Sequence, residues 1–530
     1  MKNKISFLII IALLSSVVFV SCTKNLDRLP TNGFTAAEVY STPNGYKLAF
    51  AKVYGSFAQT GNNGPGSGDI QGIDPGTSDF FRLYWCAQEL STDEAVISWG
   101  DAGIQDFHFM NWSSSNPFTQ GLYYRSMYQI TLANDFIRQS SDANLAARGI
   151  TGSDADNIKT YRAEARFLRA YQYWVLMDLF GNPPFVTDKD QIGNIPKQIS
   201  RKDLFDYVIS ELKAIEPDLK APMTNEYGRA DQAADWALLS RIYLNAPVYA
   251  DTTDYNDAIA YSKKVIDAGY TLTSNYNWLF LADNNLNTNE FILTINYDGL
   301  KTQGYGGTTF LTHAPVGGSM NPSKFGINGG WSGARTTKNL PDLFPDYTGN
   351  VDSRSDFYTS GQNIDINDIT SFTDGFAVTK FKNVTRDGAN GSSLDFSDID
   401  MPIFRLPEMY LNYAEATLRN IALGGSGDIA QAVKYINNIR ERAYGNTSGD
   451  ITANDLTLNF ILDERARELY WEGYRRTDLI RYGEFTSSSY LWPWKGGVKS
   501  GTGVQSYRNL YPLPLTDVQA NPNLVQNPGY

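Results

Sequence analysis

Few residues in this chain can cross-link it or bind a metal ion. The 530-residue sequence contains two cysteines and two histidines, and its one long apolar run lies at the N-terminus. A framework of disulfides and a histidine-based metal centre are therefore both excluded. The net charge of −12 also disfavours nucleic acids and anionic lipid surfaces as partners. A chain of this length without disulfides depends on a large hydrophobic core.

Motifs of the common enzyme classes are also missing. The sequence contains no HExxH, GxSxG, GxGxxG or Walker A pattern. Acid pairs such as Glu89 with Asp93 or Glu94 have the composition of a glycosidase pair, but 57 acidic residues produce such pairs by chance. We therefore expect a protein that is not an enzyme and that needs no cofactor for catalysis.

The N-terminus has the pattern of a lipoprotein signal. Basic residues precede an apolar run of about 16 residues, which is short for a membrane span and typical of a secretory signal. Ser21 and Cys22 follow this run. We predict that residues 1–21 are a signal peptide, that Cys22 is acylated, and that residues 22–45 form a lipidated tether. The alternatives are an ordinary signal peptide, in which Cys22 has no role, and a retained apolar anchor.

Helical periodicity dominates two parts of the chain, about 157–268 and 404–481. Apolar or small residues recur there at spacings of three and four, which places them on one helix face. The predicted helices cover residues 157–180, 201–216, 229–246, 254–268, 405–421, 428–443 and 455–472. Helix pairs of about 35–40 residues with small residues on the packed faces resemble tetratricopeptide repeats. The sequence therefore predicts a mainly α fold with a tetratricopeptide-like helix-pair scaffold.

The segment at about 270–400 has a different composition, rich in Gly, Asn, Asp and Thr with little helical period. We predict loops with short strands here, forming the second half of a single domain that spans residues 46–530. Loops on a rigid scaffold are where binding sites concentrate. Asp283, Asn285 and Glu290 belong to a run dense in oxygen donors and are candidate ligands of a structural calcium ion. A polar surface turn is the favoured alternative, because the run lacks the glycine and the spacing of an EF-hand.

A charged segment at 464–481 is the most specific stretch of the sequence. Glu464 and Glu468 lie one helical turn apart, Gly473 has the position of a helix C-cap, and arginines follow it. This pattern predicts a salt-bridge network that holds the last long helix against the loops behind it. We interpret the network as structural.

Aromatic residues make up 13% of the chain. Many must belong to the core, yet Tyr and Trp also suit contact with neutral, hydroxyl-rich ligands. Composition alone does not separate these two uses.

Five blocks of sequence, spread along the chain, match one known family. They are Arg162–Ala170 continuing to Gly181–Pro184, Phe404–Leu411 with Ala414–Ala416, the segment 464–481, Leu491–Gly497, and Tyr511–Pro514. In these blocks the chain resembles the RagB/SusD family of Bacteroidetes surface lipoproteins. The similarity covers essentially the whole chain, and it implies a SusD-like fold.

Further blocks resemble the starch-binding member of that family. They are Glu89–Glu94, Gly304–Thr309, Asn328–Ser332, Ser371–Phe376 and the Trp-Lys-Gly-Gly stretch at 494–497. The resemblance implies a starch site in which an arc of aromatic rings follows the curve of an α-1,4-glucan beside a few polar side chains. The arc corresponds to Trp99, Tyr305 and Trp331, and the polar flank corresponds to Arg82 and Asp74. Core packing is the alternative for each ring, and the glycines around Tyr305 and Trp331 make it less favourable there.

Two positions depart from the pattern of the starch-binding member. Ile97 stands where a further tryptophan is expected, and an expected asparagine falls near Asp101 or Ala102. The departures imply a starch site that is weakened or that is tuned to a different glucan.

The resemblance also implies a function and a location. We expect a surface protein that captures starch or a related α-glucan and delivers oligosaccharide to a SusC-like TonB-dependent transporter. The protein would be anchored in the outer membrane by its lipid, facing the cell exterior, with no other membrane contact and no nucleic-acid partner. The alternatives are a binder of another polysaccharide, an adaptor that gates the transporter without a glycan site of its own, and a surface glycosidase.

Overall fold

The N-terminal half of the protein is built from helices. The computed structural model describes residues 35–530, so the predicted signal peptide and Cys22 lie outside the described residues. The helices are α1 Ala36–Val39, α2 Pro43–Ala58, α3 Phe80–Gln88, α4 Gln105–Phe109, α5 Pro117–Gln139, α6 Asp142–Ala147, α7 Gly152–Phe180, α8 Arg201–Ile215, α9 Gln232–Leu244, α10 Ala246–Ala250 and α11 Tyr255–Ile266. The predicted helices at 157–180, 201–216, 229–246 and 254–268 are therefore confirmed as α7, α8, α9 and α11.

The C-terminal half mixes helices with short strands. Its helices are α12 Gly307–His313, α13 Leu406–Ala422, α14 Ile429–Tyr444, α15 Leu458–Leu469, α16 Arg475–Arg481 and α17 Leu515–Ala520. The strands of the described chain are β1 Val96–Ile97, β2 Pro184–Phe185, β3 Lys197–Gln198, β4 Phe291–Ile295, β5 Ala334–Arg335, β6 Phe357–Tyr358, β7 Ala377–Val378 and β8 Met401–Arg405. They form the antiparallel pairs β1–β5, β2–β3, β4–β8 and β6–β7. Four of the eight, β4 to β7, lie within the segment at about 270–400, where the composition predicted loops with short strands, and β8 follows directly after it.

The helices pack as neighbouring pairs. Helix α7 packs against α5 and α8, and α11 packs against α9 and α13. Helices α9, α11 and α13 approach one another closely where small polar side chains meet. The hydroxyls of Ser240 in α9 and Ser262 in α11 are 2.7 Å apart, and the amide of Asn412 in α13 donates to Ser240 at 3.1 Å. The predicted helix pairs are present, while their likeness to tetratricopeptide repeats stays a prediction. Within residues 35–530, no helix combines the length and the apolar composition that crossing a membrane requires.

The predicted tether is wrong for its last eleven residues, 35–45, which belong to the folded body. Helix α1 and the start of α2 lie there, and the side chain of Tyr40 is buried. Pro43 and Gly45 suggested an extended chain, but proline is favoured in the first turn of a helix, because its missing N–H has no partner there. The Thr42 hydroxyl accepts a hydrogen bond from the Gly45 N–H and caps α2. A side chain at Gly45 would collide with the Val39 carbonyl oxygen at 1.7 Å, so the glycine permits the turn between the two helices.

The network predicted at 464–481 is present and buried, although its helix boundaries differ. Helix α15 ends at Leu469 rather than near 472, and Gly473 lies in a left-handed turn (φ 88°) before α16. Glu468 accepts from Arg405 at 2.5 Å and also contacts Arg442. Burial alone would raise the pKa of Glu468, but Arg442, Arg405 and Arg354 outweigh it and lower the pKa to about 2. These pairs join α15 to β8 and α14, and so they hold the helical scaffold against the loop-rich half.

Candidate functional site

The pairing of β1 with β5 brings Trp99 and Trp331 together. Ile97 pairs with Ala334, and the Ser98 N–H donates to the Gly333 carbonyl at 3.0 Å, so the residues beyond these strands become neighbours. The two indole rings are 6.3 Å apart between centroids and inclined at 46°. The Trp99 Nε1–H donates to the Trp331 carbonyl at 3.0 Å, which fixes the first ring relative to the second. Both residues are half-buried, so each remains partly accessible to solvent.

Gly333 makes room for the Trp99 ring. A Cβ at this position would lie 2.3 Å from Cε2 of Trp99, far inside van der Waals contact. The indole therefore rests directly on the main chain of the β5 segment. Any larger residue at 333 would displace it.

His313 supports Trp331 from the interior. The imidazole and indole rings stack with centroids 4.9 Å apart and an interplanar angle of 30°. His313 is 2% exposed, and its Nδ1 lies 2.9 Å from the Thr309 carbonyl oxygen. Burial lowers the pKa of His313, which favours the neutral ring. No local sequence pattern predicts this contact, because the two residues come from separate segments.

Arg82 connects the loop between α2 and α3 to Tyr305. Its Nη1 donates to the carbonyls of Gly76 and Tyr305, both at 2.9 Å, and its Cζ lies 5.6 Å from the centroid of the Trp99 ring. Arg82 is only 7% exposed, and burial lowers the pKa of its guanidinium. The side chain thus positions the loops of the site. Its predicted hydrogen bonding to a ligand stays a prediction.

Tyr305 is the most exposed ring of the predicted arc, at 42%. The chain after it is fixed, because the Gly307 N–H donates to the Asp79 carboxylate at 2.8 Å. Gly306 allows this contact, since a Cβ there would lie 2.0 Å from Cβ of Asp79. The Tyr305 ring lies 5.8 Å from the ring of Phe396. Tyr305 is therefore an exposed ring on a well-held backbone.

Asp74 lies at the edge of the same region. Its Oδ1 accepts from the Gly76 N–H at 2.6 Å, in the turn whose carbonyl binds Arg82. The side chain is exposed. The structure thus brings all five predicted residues into one region, with Asp74 and Tyr305 at its margins. We name Trp99, Tyr305 and Trp331 the aromatic arc.

The two departures from the starch-binding pattern fall in different surroundings. Ile97 is 1% exposed and belongs to the hydrophobic core, so this position contributes no surface ring. Asp101 and Ala102 are exposed beside the arc, where Ala102 offers no polar group. The arc of this chain therefore has three rings.

Both carboxylates among the candidate calcium ligands form ion pairs with arginines. The Asp283 carboxylate pairs with Arg386 at 3.0 Å, and the buried Glu290 carboxylate accepts from Arg405 and Arg442 at 3.2 Å. Asn285 points to solvent on the surface turn. Because a guanidinium already neutralises each carboxylate, this set of three disfavours a cation.

The acid pairs considered for glycoside hydrolysis are enclosed in the core. Glu89, Asp93 and Glu94 are each at most 2% exposed. Asp93 is held by Arg475 at 2.8 Å, and Glu89 accepts from the Gly473 N–H at 2.6 Å. A substrate has no access to these carboxyls, so they do not form a glycosidase pair.

A separate cavity of about 340 Å³ opens between α2, α7 and β4, and none of the five predicted residues lines it. The residues of the aromatic arc lie apart from this cavity and are partly or fully exposed. An exposed surface suits a polymer that extends beyond the protein.

Solved structures define the class of this fold. The surface glycan-binding protein A from Bacteroides thetaiotaomicron superposes with a TM-score of 0.70 at 23% identity, covering 93% of this chain and 100% of that one. The same protein in complex with laminarihexaose gives 0.68 at 22% identity, covering 91% and 99%. A SusD-superfamily protein from the same organism gives 0.69 at 21%, covering 92% and 100%. The mainly α, SusD-like fold is thereby confirmed.

Sequence comparison then gives the family. The starch-binding protein SusD from Bacteroides thetaiotaomicron is 37% identical, in an alignment that covers 98% of each chain. SusD-like protein P25 from Formosa agariphila is 26% identical, covering 75% of this chain and 79% of its own. Family models described as "SusD family" and "Starch-binding associating with outer membrane" match residues 346–530 and 91–244. The chain belongs to the SusD family.

Proposed function

We propose that this protein binds starch or a related α-glucan on the aromatic arc. The observation that carries the proposal is the half-buried Trp99–Trp331 pair, with its fixed 6.3 Å spacing, beside the exposed Tyr305 ring. A sugar ring has an apolar face of C–H groups, and a flat, rigid aromatic ring contacts that face at low cost in conformational entropy. Because the two indole rings are inclined at 46°, they suit a curved glycan better than a flat one.

The relatives support an α-glucan ahead of other glycans. The 37% identical relative is a starch-binding protein, whereas the laminarihexaose complex is of a protein only 22% identical. A β-glucan is therefore the second candidate ligand. Three stacking rings with a few hydrogen bonds suggest a dissociation constant of roughly micromolar to millimolar.

The proposal extends to a role in import. The protein is anchored in the outer membrane through acylated Cys22, faces the cell exterior, and passes oligosaccharide to a SusC-like TonB-dependent transporter. This role is supported by membership of the SusD family and by the family model that matches residues 91–244, whose description names association with the outer membrane. A tethered protein keeps a weakly bound polymer near the pore, and binding to several copies at once raises the effective affinity. Hydrolysis is left to other proteins.

Affinity electrophoresis tests the glycan proposal. Amylopectin in the gel should retard the wild-type protein, and Trp331→Ala should restore its mobility, while levan and xylan should have no effect. Equal mobility of wild type with and without amylopectin contradicts the α-glucan proposal.

Two further measurements address the alternatives. Laminarin in place of amylopectin tests the second candidate ligand, and release of reducing sugar by pure protein would instead support a glycosidase. Co-purification of a TonB-dependent transporter without binding to any glycan would support the adaptor.

A further inference from the structure

A loop at Leu394–Phe396 connects the two ends of the aromatic arc. At one end, the Phe396 ring lies 5.8 Å from the ring of Tyr305. At the other, the Leu394 carbonyl accepts from the Asn328 N–H at 3.1 Å, three residues before Trp331. None of the sequence blocks that match the family includes this loop.

The base of this loop is held rigidly. The Asn383 side chain donates to the Ser393 carbonyl at 2.7 Å and accepts from the Asp398 N–H at 3.0 Å. The Ser397 N–H donates to the Thr309 hydroxyl at 3.0 Å. A rigid base keeps the exposed tip in place before a ligand arrives, which reduces the entropy lost on binding.

The tip presents a carboxylate and an amide side by side. Asp395 and Asn328 are both exposed, and Oδ1 of Asp395 accepts from Nδ2 of Asn328. The second carboxylate oxygen has no hydrogen-bond partner within residues 35–530. Asn328 therefore orients the carboxylate and leaves one acceptor directed away from the amide.

The carboxylate lies beside the segment that carries Trp331. Asn328, which contacts Asp395 and donates its N–H to the Leu394 carbonyl, precedes Trp331 by three residues. The Trp331 N–H in turn donates to the His313 carbonyl at 2.8 Å, so this segment is fixed against the imidazole that stacks on Trp331.

We propose that Asp395, oriented by Asn328, accepts hydrogen bonds from sugar hydroxyls at the aromatic arc and thereby fixes the orientation of the sugar ring that stacks there. The inference rests on the proposed glycan-binding function. Stacking alone leaves a sugar free to rotate over the aromatic face, whereas a carboxylate held in place by Asn328 accepts hydrogen bonds from adjacent hydroxyls in one orientation of the sugar. The ligand class is therefore a glycan with two adjacent free hydroxyls on the stacked ring.

Calorimetric titration with maltohexaose tests this assignment on the purified protein. Asp395→Ala should weaken binding about tenfold, because hydrogen bonds to a charged acceptor are the strong ones. Asn328→Ala should weaken it less, and the double variant should match Asp395→Ala, because Asn328 acts through Asp395. Asp387→Ala is the matched control: this exposed carboxylate lies in the neighbouring turn, where it accepts from Thr385. All variants should keep the wild-type melting temperature.

The outcomes separate this inference from the proposed function. Wild-type binding that Asp395→Ala leaves unchanged, or weakens no more than Asp387→Ala does, overturns the role of Asp395 and leaves the aromatic arc standing. Losses that add in the double variant overturn the orienting role of Asn328. If the wild type binds neither maltohexaose nor any glycan of the electrophoresis panel, the proposed function fails, and this inference fails with it.

Discussion

Replacing Gly333 with alanine should disable the aromatic arc without removing any side chain from it. The added methyl carbon would lie 2.3 Å from Cε2 of Trp99, whereas carbon atoms pack at about 3.5–4.0 Å. The indole must therefore move by about 1 Å or more. The φ angle at Gly333 lies outside the left-handed region, so alanine adds no backbone strain.

The cost of this displacement follows from two contacts. Moving the ring breaks the hydrogen bond from Trp99 Nε1 to the Trp331 carbonyl, which lowers folding stability by about 1 kcal/mol. It also misaligns a stacking surface that contributes about 0.5–1.5 kcal/mol to binding. We expect a loss of binding free energy of about 1.5 kcal/mol, close to tenfold in the dissociation constant. The loss of folding stability should stay at the low end of the usual 1–3 kcal/mol for overpacking, because the indole is half-buried and can move outward.

Calorimetric titration with maltohexaose measures the effect, with Gly329→Ala as the control. Gly329 lies in the same loop, and a Cβ there would meet nothing within 4 Å. Gly329→Ala should bind like wild type, and Gly333→Ala about tenfold more weakly. Equal affinity of the two variants would refute the placement of Trp99 in the binding surface.

Three further predictions concern stability. Arg405→Ala leaves Glu472 buried without its arginine partner and should cost about 3–5 kcal/mol in urea unfolding; a loss below about 1 kcal/mol would contradict the network's role. Burial raises the pKa of Glu89 to about 7 and that of its neighbour Glu94 well above the usual value. The folded state therefore retains protons that the unfolded state loses, and this contribution to stability should fall as pH rises from about 4.5 through 7. Glu89→Gln should flatten the fall, and an unchanged pH profile would contradict the assignment. Chelation with EDTA should leave the melting temperature unchanged, because Arg386 already neutralises Asp283; a clear decrease would restore the calcium site.

The helical scaffold could be predicted where its periodicity is regular. Helices α7, α8, α9, α11, α13 and α14 begin and end within a few residues of the predicted bounds. Helix α5, with 23 residues, was missed, since its apolar positions are broken by polar residues and by Gly121. That glycine lets the Leu83 side chain of α3 approach closely, so tertiary packing outweighs its low helix propensity.

The candidate site could not have been assembled from local patterns. Trp99 and Trp331 meet because two-residue strands more than 200 positions apart pair with each other, and strands this short leave no periodic signal. The arc was predicted only through the family resemblance. His313 and Asp395 escaped prediction for the same reason, as each reaches the arc from a different segment of the chain. The salt-bridge network at 464–481, which lies outside the candidate site, could be predicted from a local pattern, because Glu464 and Glu468 lie on one face of a single helix.

Affinity electrophoresis of the wild-type protein against Trp331→Ala, in gels with amylopectin and with laminarin, tests the central claim most directly. We predict that amylopectin retards the wild type strongly, that laminarin retards it less or not at all, and that Trp331→Ala migrates in both gels as it does without glycan. Retardation by amylopectin that survives Trp331→Ala, or no retardation of the wild type, would contradict the assignment of the aromatic arc as an α-glucan site.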